Sequence, residues 1–373
     1  MQKQSPQNHI SILIPVLRGA EGLDAILSRL ISYAYPYKQI IVAIDCPDNK
    51  SLATMKKFKD DVIFDVSESR RGKVKALQAA LSHATGEVYL FLDSDVALPE
   101  YDILAKVEHE IRDVEMIEPK KIIVQKSFIS KIVYYEYIGI GISDSIISRK
   151  MGRALGINGA AFAIKSSAFI RMGGFRNEVS EDLDLALRSF MSGVSFKYCD
   201  SIEIYTEAPS NLKGWLKQRK RWAYGTALWL KKNRSLLFHI IRSKPSVVLP
   251  SLLIIFPSIV TALIMLGFRR IAPYEALIFL LFSLPSRAFP LIVVPFLPLP
   301  AVSIAFISLV ALLAGALPYA LLYFLYAKKL GFSFSLLWFL IYYLFYSPLW
   351  LLVMIWGIVK VIQGKEIEID WRA

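Results

Sequence analysis

Short apolar runs alternate with amphipathic patterns over the first hundred residues. Apolar residues recur at helical spacing in Glu21–Tyr35 and Lys73–Ala84. Four other runs have the length and composition of buried strands: His9–Val16, Gln39–Ile44, Val62–Val66 and Glu87–Leu92. Strands that alternate with helices of this length predict βαβ units on a parallel sheet, with ligands bound beyond the C-terminal strand ends.

The last third of the chain has a different hydrophobic pattern. Only six charged side chains occur between residues 246 and 359. Long apolar runs predict about four transmembrane helices, at 246–266, 273–297, 301–326 and 335–360. The second contains Pro285, Arg287 and Pro290, so a broken or re-entrant segment is an alternative there. This arrangement also leaves Lys328 and Lys329 outside, against the positive-inside tendency.

The charge distribution indicates which partners to expect. The formal net charge is +13, and residues 211–244 contain ten Lys or Arg and no acid. A basic segment directly before an apolar run predicts an anionic membrane surface on the cytoplasmic side, rather than nucleic acid. A solvated basic helix face is the alternative. With only Cys46 and Cys199 present, neither a disulfide framework nor a cysteine metal site is expected.

These patterns divide the chain into four parts. We predict an α/β catalytic domain at residues 1–210 and a basic amphipathic interfacial segment at 211–245. Transmembrane helices follow at 246–362, and a cytoplasmic tail at 363–373. The first apolar run is too short for a signal peptide, so we expect a multi-pass cell-membrane protein with a cytoplasmic catalytic domain.

An Asp-x-Asp sequence, Asp93-Ser94-Asp95, comes directly after the apolar run VYLFL. Residues i and i+2 of a strand project to one side, so the two carboxylates are candidates for binding one divalent cation. Such a cation would neutralise a diphosphate leaving group. Turn or helix-cap chemistry is the competing interpretation, since Asp is common in both.

A second acidic pair, Glu181-Asp182, begins the sequence EDLDLALR. A carboxylate is suited to accept the proton of an attacking hydroxyl, and Asp182 is our candidate general base. Acids are also favoured in the first turn of a helix, so a capping role for Ser180 or Glu181 is compatible with this interpretation.

The basic segment contains Gln218, Arg221 and Trp222 in the sequence QRKRW. Guanidinium groups bind diphosphates, and an indole stacks on a sugar face. By composition alone, an interfacial amphipathic helix explains the same residues.

Taken in order, these motifs resemble the membrane-associated family 2 glycosyltransferases, which include cellulose and hyaluronan synthases and ceramide glucosyltransferases. The sequences RRGKVKALQAAL, NGAAFAIK and GGF match as well, and the resemblance covers about residues 10–230. It implies a GT-A fold, a nucleotide-diphospho-sugar transferase domain, and an inverting hexosyltransferase that uses Mg²⁺ or Mn²⁺.

The resemblance also implies a role for each motif residue. Asp45 and Lys73 would contact the donor base, and Asp93 the nucleotide. Asp95 would bind the metal ion, together with Asp93. Asp182 would be the base, and Arg221 would bind the diphosphate. The acceptor would be bound by three residues: Glu181, Gln218 and Trp222. The donor is expected to be a UDP-sugar, the usual choice of the family.

The acceptor depends on which branch of the family the chain resembles most. PVLRGAEGL, SDVALPEYDIL and EIEIDWRA resemble the ceramide and hopanoid glucosyltransferases, and favour a lipid or lipid-linked acceptor. The complete QxxRW motif resembles the processive polysaccharide synthases, which leaves a glycan acceptor open. A polyprenyl-phosphate sugar synthase uses the same core. A transporter with a regulatory soluble domain is disfavoured, because the apolar region offers few acids for an ion path.

Overall fold

The computed structural model describes residues 9–19, 22–260, 263 and 315–364. Within these residues, eight strands form one sheet in the order β3-β2-β1-β4-β7-β6-β8-β5. The strands are β1 Ile10–Leu17, β2 Lys38–Asp45, β3 Ile63–Ser67, β4 Val88–Leu92, β5 Val96–Ala97, β6 Met116–Ile123, β7 Ala161–Lys165 and β8 Phe196–Thr206. The four strands predicted from sequence are confirmed, each shifted by one residue at most ends.

The sheet as a whole is mixed, and the parallel arrangement predicted for the first four runs is confirmed in its β3-β2-β1-β4 part. Strands β1 to β4 pair in parallel, but β7 is antiparallel to both β4 and β6, and β5 is antiparallel to β8. Strand β7 enters from a loop beside the end of β4 and so runs back along it. The loop before β7 thereby reaches the edge where β4 ends.

Helices cover the sheet and then continue away from it. The helices of the α/β part are α1 Leu23–Ser32, α2 Asn49–Lys57, α3 Lys73–Ser82, α4 Ile103–Ile111, α5 Phe128–Met151, α6 Ser166–Arg171 and α7 Glu181–Met191. One core cluster joins α1 and α4 to one side of the sheet, and a second joins α3 and α7 to the other. Strands β1, β2 and β4 are therefore buried on both faces, which explains their continuous apolar sequence.

The C-terminal helices form a third apolar cluster with α5. They are α8 Leu212–Ser243, α9 Pro245–Ile255, α10 at residues 315–329, and α11 Leu336–Ile362. Helix α11 contains a π-helical segment at Tyr342–Tyr346. Its centre packs against α5, so the α/β part and the apolar part share a core.

Only one helix of the described residues, α11, is long and apolar enough to cross a membrane by itself. Helices α8 and α9 pass the same test as a pair, but the chain bends by 111° between them. The predicted segment 273–297 and most of 301–326 lie outside the described residues. The number of four spans therefore stays a prediction.

Candidate active site

The ammonium of Lys73 lies between two carboxylates at the C-terminal edge of β1 and β4. Lys73 begins α3, and its Nζ is 2.8 Å from Oδ1 of Asp93 and 3.1 Å from Oε1 of Glu181. Desolvation lowers the pKa of Lys73, but these two carboxylates outweigh it and the pKa lies above its ordinary value. The cleft around this cluster has an apolar wall formed by Pro15, Phe91, Phe162 and Phe175.

Asp182 lies in the same cleft, in the first turn of α7. Its Oδ1 accepts from the N–H of Leu183 at 2.8 Å, and its Oδ2 from the N–H of Gly159 at 3.3 Å. Desolvation, aided by the charge of Glu181, raises the pKa of Asp182 to about 6 against the opposing effect of Lys73. A carboxylate with this pKa is deprotonated at neutral pH and still accepts a proton readily.

The loop before β7 approaches this carboxylate closely at Gly159. A Cβ atom added to Gly159 would lie 3.2 Å from Oδ2 of Asp182 and 3.4 Å from Nζ of Lys73. The distance to Asp182 is short for a Cβ contact, while that to Lys73 is at the limit of an ordinary one. The glycine of the NGAAF sequence therefore leaves the space that Asp182 and Lys73 occupy.

The Asp-x-Asp sequence lies in a turn, and not on a strand. Strand β4 ends at Leu92, and the N–H of Asp93 donates to the carbonyl of Ala160 at 2.9 Å. Ser94 and Asp95 then form a turn before β5. The argument from strand periodicity was therefore wrong for this pair, because the chain turns directly after β4.

The two carboxylates of this turn nevertheless influence each other. Burial raises the pKa of Asp93; Lys73 opposes this effect, while the charges of Asp95 and Glu181 add to it. Asp95 itself is exposed at the mouth of the turn. A second cation beside Asp93 and Asp95 would relieve this repulsion.

Asp45 accepts hydrogen bonds from the loop that leads into α3. Its Oδ2 accepts from the N–H groups of Arg71 and Gly72 at 2.8 and 2.9 Å, and its Oδ1 from Nε of Arg71 at 2.8 Å. The residue is only 2% exposed. These bonds hold the loop that places Lys73, and Lys73 itself contacts Asp93 and Glu181 instead of lying beside Asp45. A contact of Asp45 with a donor base stays a prediction.

The basic motif lies on the first half of α8, close to α7. A Cβ atom on Gly225 would be 2.9 Å from Oγ of Ser180, which immediately precedes the acidic pair. The ring of Trp222, one turn before Gly225, lies 4.2 Å from the guanidinium carbon of Arg219. Three motif residues are partly buried there: Gln218, Arg221 and Trp222. The fold thus brings the second acidic pair and the basic motif, about 40 residues apart in sequence, to adjacent helices.

A family model described as glycosyl transferase family group 2 matches residues 89–362, well over half of the chain. The chain belongs to this family. It is therefore a glycosyltransferase. The matched region contains Asp93 and Asp182 of the cleft, whereas Lys73 precedes it.

Two curated relatives of this family 2 glycosyltransferase illustrate its sequence similarity. A poly-beta-1,6-N-acetyl-D-glucosamine synthase of Staphylococcus aureus is 24% identical over 222 residues, which cover 58% of this chain and 54% of the relative. Glucomannan 4-beta-mannosyltransferase 7 of Arabidopsis thaliana is 25% identical over 252 residues, covering 60% of this chain and 43% of the relative. The chain thus matches about half the length of these relatives.

A solved structure shows the same fold. The mannosyltransferase PcManGT from Pyrobaculum calidifontis, in complex with GDP-Man and Mn²⁺, superposes with a TM-score of 0.57 at 18% identity. The similarity covers 97% of this chain and 89% of that one. The family 2 glycosyltransferase described here accordingly has a GT-A-like mixed α/β fold.

The chemistry of the cleft fits a hard divalent cation. The carboxylates of Asp93 and Asp95 are oxygen ligands of the type that Mg²⁺ and Mn²⁺ prefer. In the described residues, Lys73 contacts Asp93 at 2.8 Å and neutralises part of its charge. No group of three or more His, Cys, Asp or Glu suited to a metal occurs in the described ranges. The remaining ligands would have to come from the donor diphosphate and water.

Sequence analysis missed two residues that form a buried pair beneath the basic motif. Arg219 is fully buried and its Nη2 lies 2.7 Å from Oε2 of Glu136, which α5 contributes. Tyr346 of α11 donates to the same carboxylate oxygen. The signal in the sequence was a Glu inside an otherwise apolar helix, IVYYEYIGI, since an unpaired buried acid is costly.

Proposed function

We propose that the chain transfers a sugar, with inversion at the anomeric carbon, from a nucleotide donor to a hydroxyl of a membrane lipid or lipid-linked acceptor. The observation that carries the proposal is the position of Asp182. It lies in the cleft beside Lys73 and Asp93, and its pKa of about 6 suits a general base. The family supplies the reaction class.

In this proposal, Asp182 acts on the acceptor hydroxyl. The hydroxyl oxygen attacks the anomeric carbon of the donor while its proton passes to a carboxylate oxygen of Asp182. The bond from the anomeric carbon to the nucleotide diphosphate breaks, and the diphosphate leaves with the electron pair. The N–H groups of Gly159 and Leu183 hold the carboxylate in orientation during this step.

The positive charge of Lys73 supports binding of the donor diphosphate on its side of the cleft. The Lys73 ammonium and the guanidinium of Arg221 would bind phosphate oxygens, and Trp222 would stack on the acceptor with Gln218 and Glu181 nearby. A Mg²⁺ or Mn²⁺ ion held by Asp93 and Asp95 would neutralise the charge that develops on the leaving diphosphate. The GDP-Man and Mn²⁺ named for PcManGT support a nucleotide sugar and a divalent cation. For this chain we propose UDP as the nucleotide of the donor.

The acceptor proposal rests on the surroundings of α8. This helix is strongly basic and continues into apolar helices, which suits an acceptor held at a membrane surface. A growing glycan is the second candidate, because the two curated relatives are named for poly-N-acetylglucosamine and glucomannan. Both candidates use the same base and the same donor site.

Product analysis with detergent-purified protein tests the proposal. The protein is incubated with UDP- and GDP-sugars and Mn²⁺, together with neutral lipids, polyprenyl phosphates or oligosaccharides. A singly glycosylated lipid supports the first candidate, and a ladder of glycan products the second. If no sugar is transferred under any of these combinations, while the protein binds the nucleotide, the assignment of the acceptor is wrong.

A further inference from the structure

Helix α8 lies along the catalytic domain over most of its length. Near its start, Arg219 pairs with Glu136 of α5. In its middle, Gly225 abuts Ser180. Later, Lys232 forms an ion pair with Glu178, and Ile240 packs on Leu187 of α7. These contacts extend over more than 20 residues, or roughly 30 Å at 1.5 Å per residue. A helix held in this way lies on the surface of the domain.

Helix α11 runs beside α8 in the same direction. The Nε1 of Trp215 donates to the hydroxyl of Tyr346 at 3.1 Å, and the guanidinium carbon of Arg219 is 5.1 Å from the ring of Trp350. Further along, Lys231 donates to the carbonyl of Val361 at 3.5 Å. The sequence positions advance together on both helices, so the two axes stay close for about 16 residues, or roughly 24 Å.

The contact is tight in the middle of this stretch. A Cβ atom added to Gly357 of α11 would lie only 2.7 to 3.0 Å from backbone and side-chain atoms of Ala223. A transmembrane helix that crossed a surface helix would touch it at one point. Contacts from Trp215 to Lys231 instead indicate side-by-side packing.

The chain before α11 is also attached to the catalytic domain. The ammonium of Lys120, on β6, donates to the carbonyl of Leu330 at 2.8 Å. The hydroxyls of Tyr134 and Tyr135, on α5, accept from the N–H groups of Ser333 and Ser335 at 2.9 and 2.7 Å. The start of α11 therefore lies on the same side of the membrane as the catalytic cleft. The neighbouring Lys328 and Lys329 lie on that side too, and not outside as the sequence pattern predicted.

The face of α11 that points away from α8 is uniformly apolar. Phe345, Leu352 and Val359, spaced by seven residues, are 70%, 63% and 42% exposed. On the other face, residues such as Trp350 and Val353 are buried. Beside this apolar stripe, α8 presents exposed lysines at 213, 217 and 220. An apolar stripe with a basic border is complementary to the acyl chains and anionic headgroups of one lipid leaflet.

We propose that α11 does not cross the membrane but lies in the plane of the leaflet that faces the catalytic domain, with its Phe345–Val359 stripe against the acyl chains. If α11 crossed, α8 would have to cross with it and carry its basic residues through hydrocarbon. The proposal rests on the membrane association in the proposed function. It leaves Lys244 and Leu330 on the same side of the membrane.

Depth measurements along the stripe test the proposal. Nitroxide labels are attached to Phe345→Cys, Leu352→Cys and Val359→Cys in a Cys46→Ser background, since Cys199 is buried. The protein is reconstituted in anionic phospholipid vesicles, and the relative accessibility of each label to oxygen and to a water-soluble nickel complex gives its depth. Equal depths at all three positions are expected. A depth that changes by about 10 Å from each label to the next would overturn the proposal, because a crossing helix rises by 1.5 Å per residue.

Side-specific labelling gives an independent result. Cysteines at Lys213, Lys329 and Gln363 are exposed to a membrane-impermeant maleimide added to one side of sealed vesicles. All three should react from the same side; a crossing α11 places Lys329 and Gln363 on opposite sides. Sugar transfer is measured on the same samples. Graded depths with retained transfer would sink the in-plane helix alone, while labels fully accessible to the nickel complex would refute membrane association itself.

Discussion

The backbone N–H of Gly159 donates to Oδ2 of Asp182 over 3.3 Å, and it does so from the loop that leads into β7. The bond connects the NGAAF sequence to the second acidic pair. It also orients one carboxylate oxygen, so that the group faces the cleft shared with Lys73 and Asp93. Both residues of this contact can be changed separately, which makes the proposed base testable.

Replacement of Asp182 by Asn should lower kcat by roughly a hundredfold or more, the usual size of a general-base contribution. Nucleotide affinity should stay nearly unchanged, because the base acts in the transfer step. Transfer rates and calorimetric binding of UDP measure the two effects. Asp184→Asn is a stability control, since Asp184 is buried in an ion pair with Arg188. Near-normal turnover of Asp182→Asn would mean that Asp182 only supports the helix terminus.

The pH dependence of transfer should show the titration of the same group. Desolvation raises the pKa of Asp182 to about 6, and the base acts only as the carboxylate. Activity is therefore present above this pH and should fall about tenfold per pH unit below it. A profile of kcat/KM between about pH 5 and 8, where folded proteins are usually most stable, measures this acidic limb of the activity. If the same limb persists in Asp182→Asn, another group is responsible.

Chelation should abolish transfer, and added Mn²⁺ or Mg²⁺ should restore it. Asp95 is exposed, so Asp95→Ala removes the proposed ligand without leaving a cavity in the core. We expect this variant to need a higher Mn²⁺ concentration for half-maximal activity. Its free energy of unfolding should stay within about 0.5 kcal/mol of the parent value, as for other surface changes. A titration of activity against Mn²⁺ measures the shift. Full activity in EDTA would exclude the metal role.

Adding one methyl group at Gly159 should impair catalysis with little effect on folding. The Cβ of Gly159→Ala would press on Oδ2 and Cβ of Asp182, at 3.2 and 3.3 Å. A displacement of the base by a fraction of an ångström should lower kcat by roughly tenfold or more. Gly156→Ala is the matched control, because its new Cβ would meet only a methyl group of Leu183 at 3.9 Å. Equal activities of the two variants would contradict the proposed geometry.

Much of the candidate site was predictable from local sequence. The apolar runs predict strands whose ends carry Asp45 and Asp93, because the composition and length of a strand depend on neighbouring residues. The first acidic residue of EDLDLALR begins α7 as expected from helix electrostatics. Family membership, predicted from the order of the motifs, is confirmed by the family match.

The tertiary structure alone decided which of these residues meet. Lys73 pairs with Asp93 and Glu181, which lie 20 and 108 residues away, and Glu136 pairs with Arg219 at a separation of 83 residues. No local pattern encodes such pairs, because they depend on how the sheet orders its strands. The antiparallel direction of β7 has the same origin.

The apolar run 335–360 shows the limit most clearly. Its composition by itself determined an apolar helix long enough to cross a membrane, since hydropathy reports only how unfavourable it is to expose the side chains to water. Whether that helix crosses or lies flat depends on its neighbours. Only the fold shows that α11 runs beside the basic helix α8 and starts from a loop bound to β6 and α5, because contacts between distant segments, and not composition, fix the direction of a helix axis.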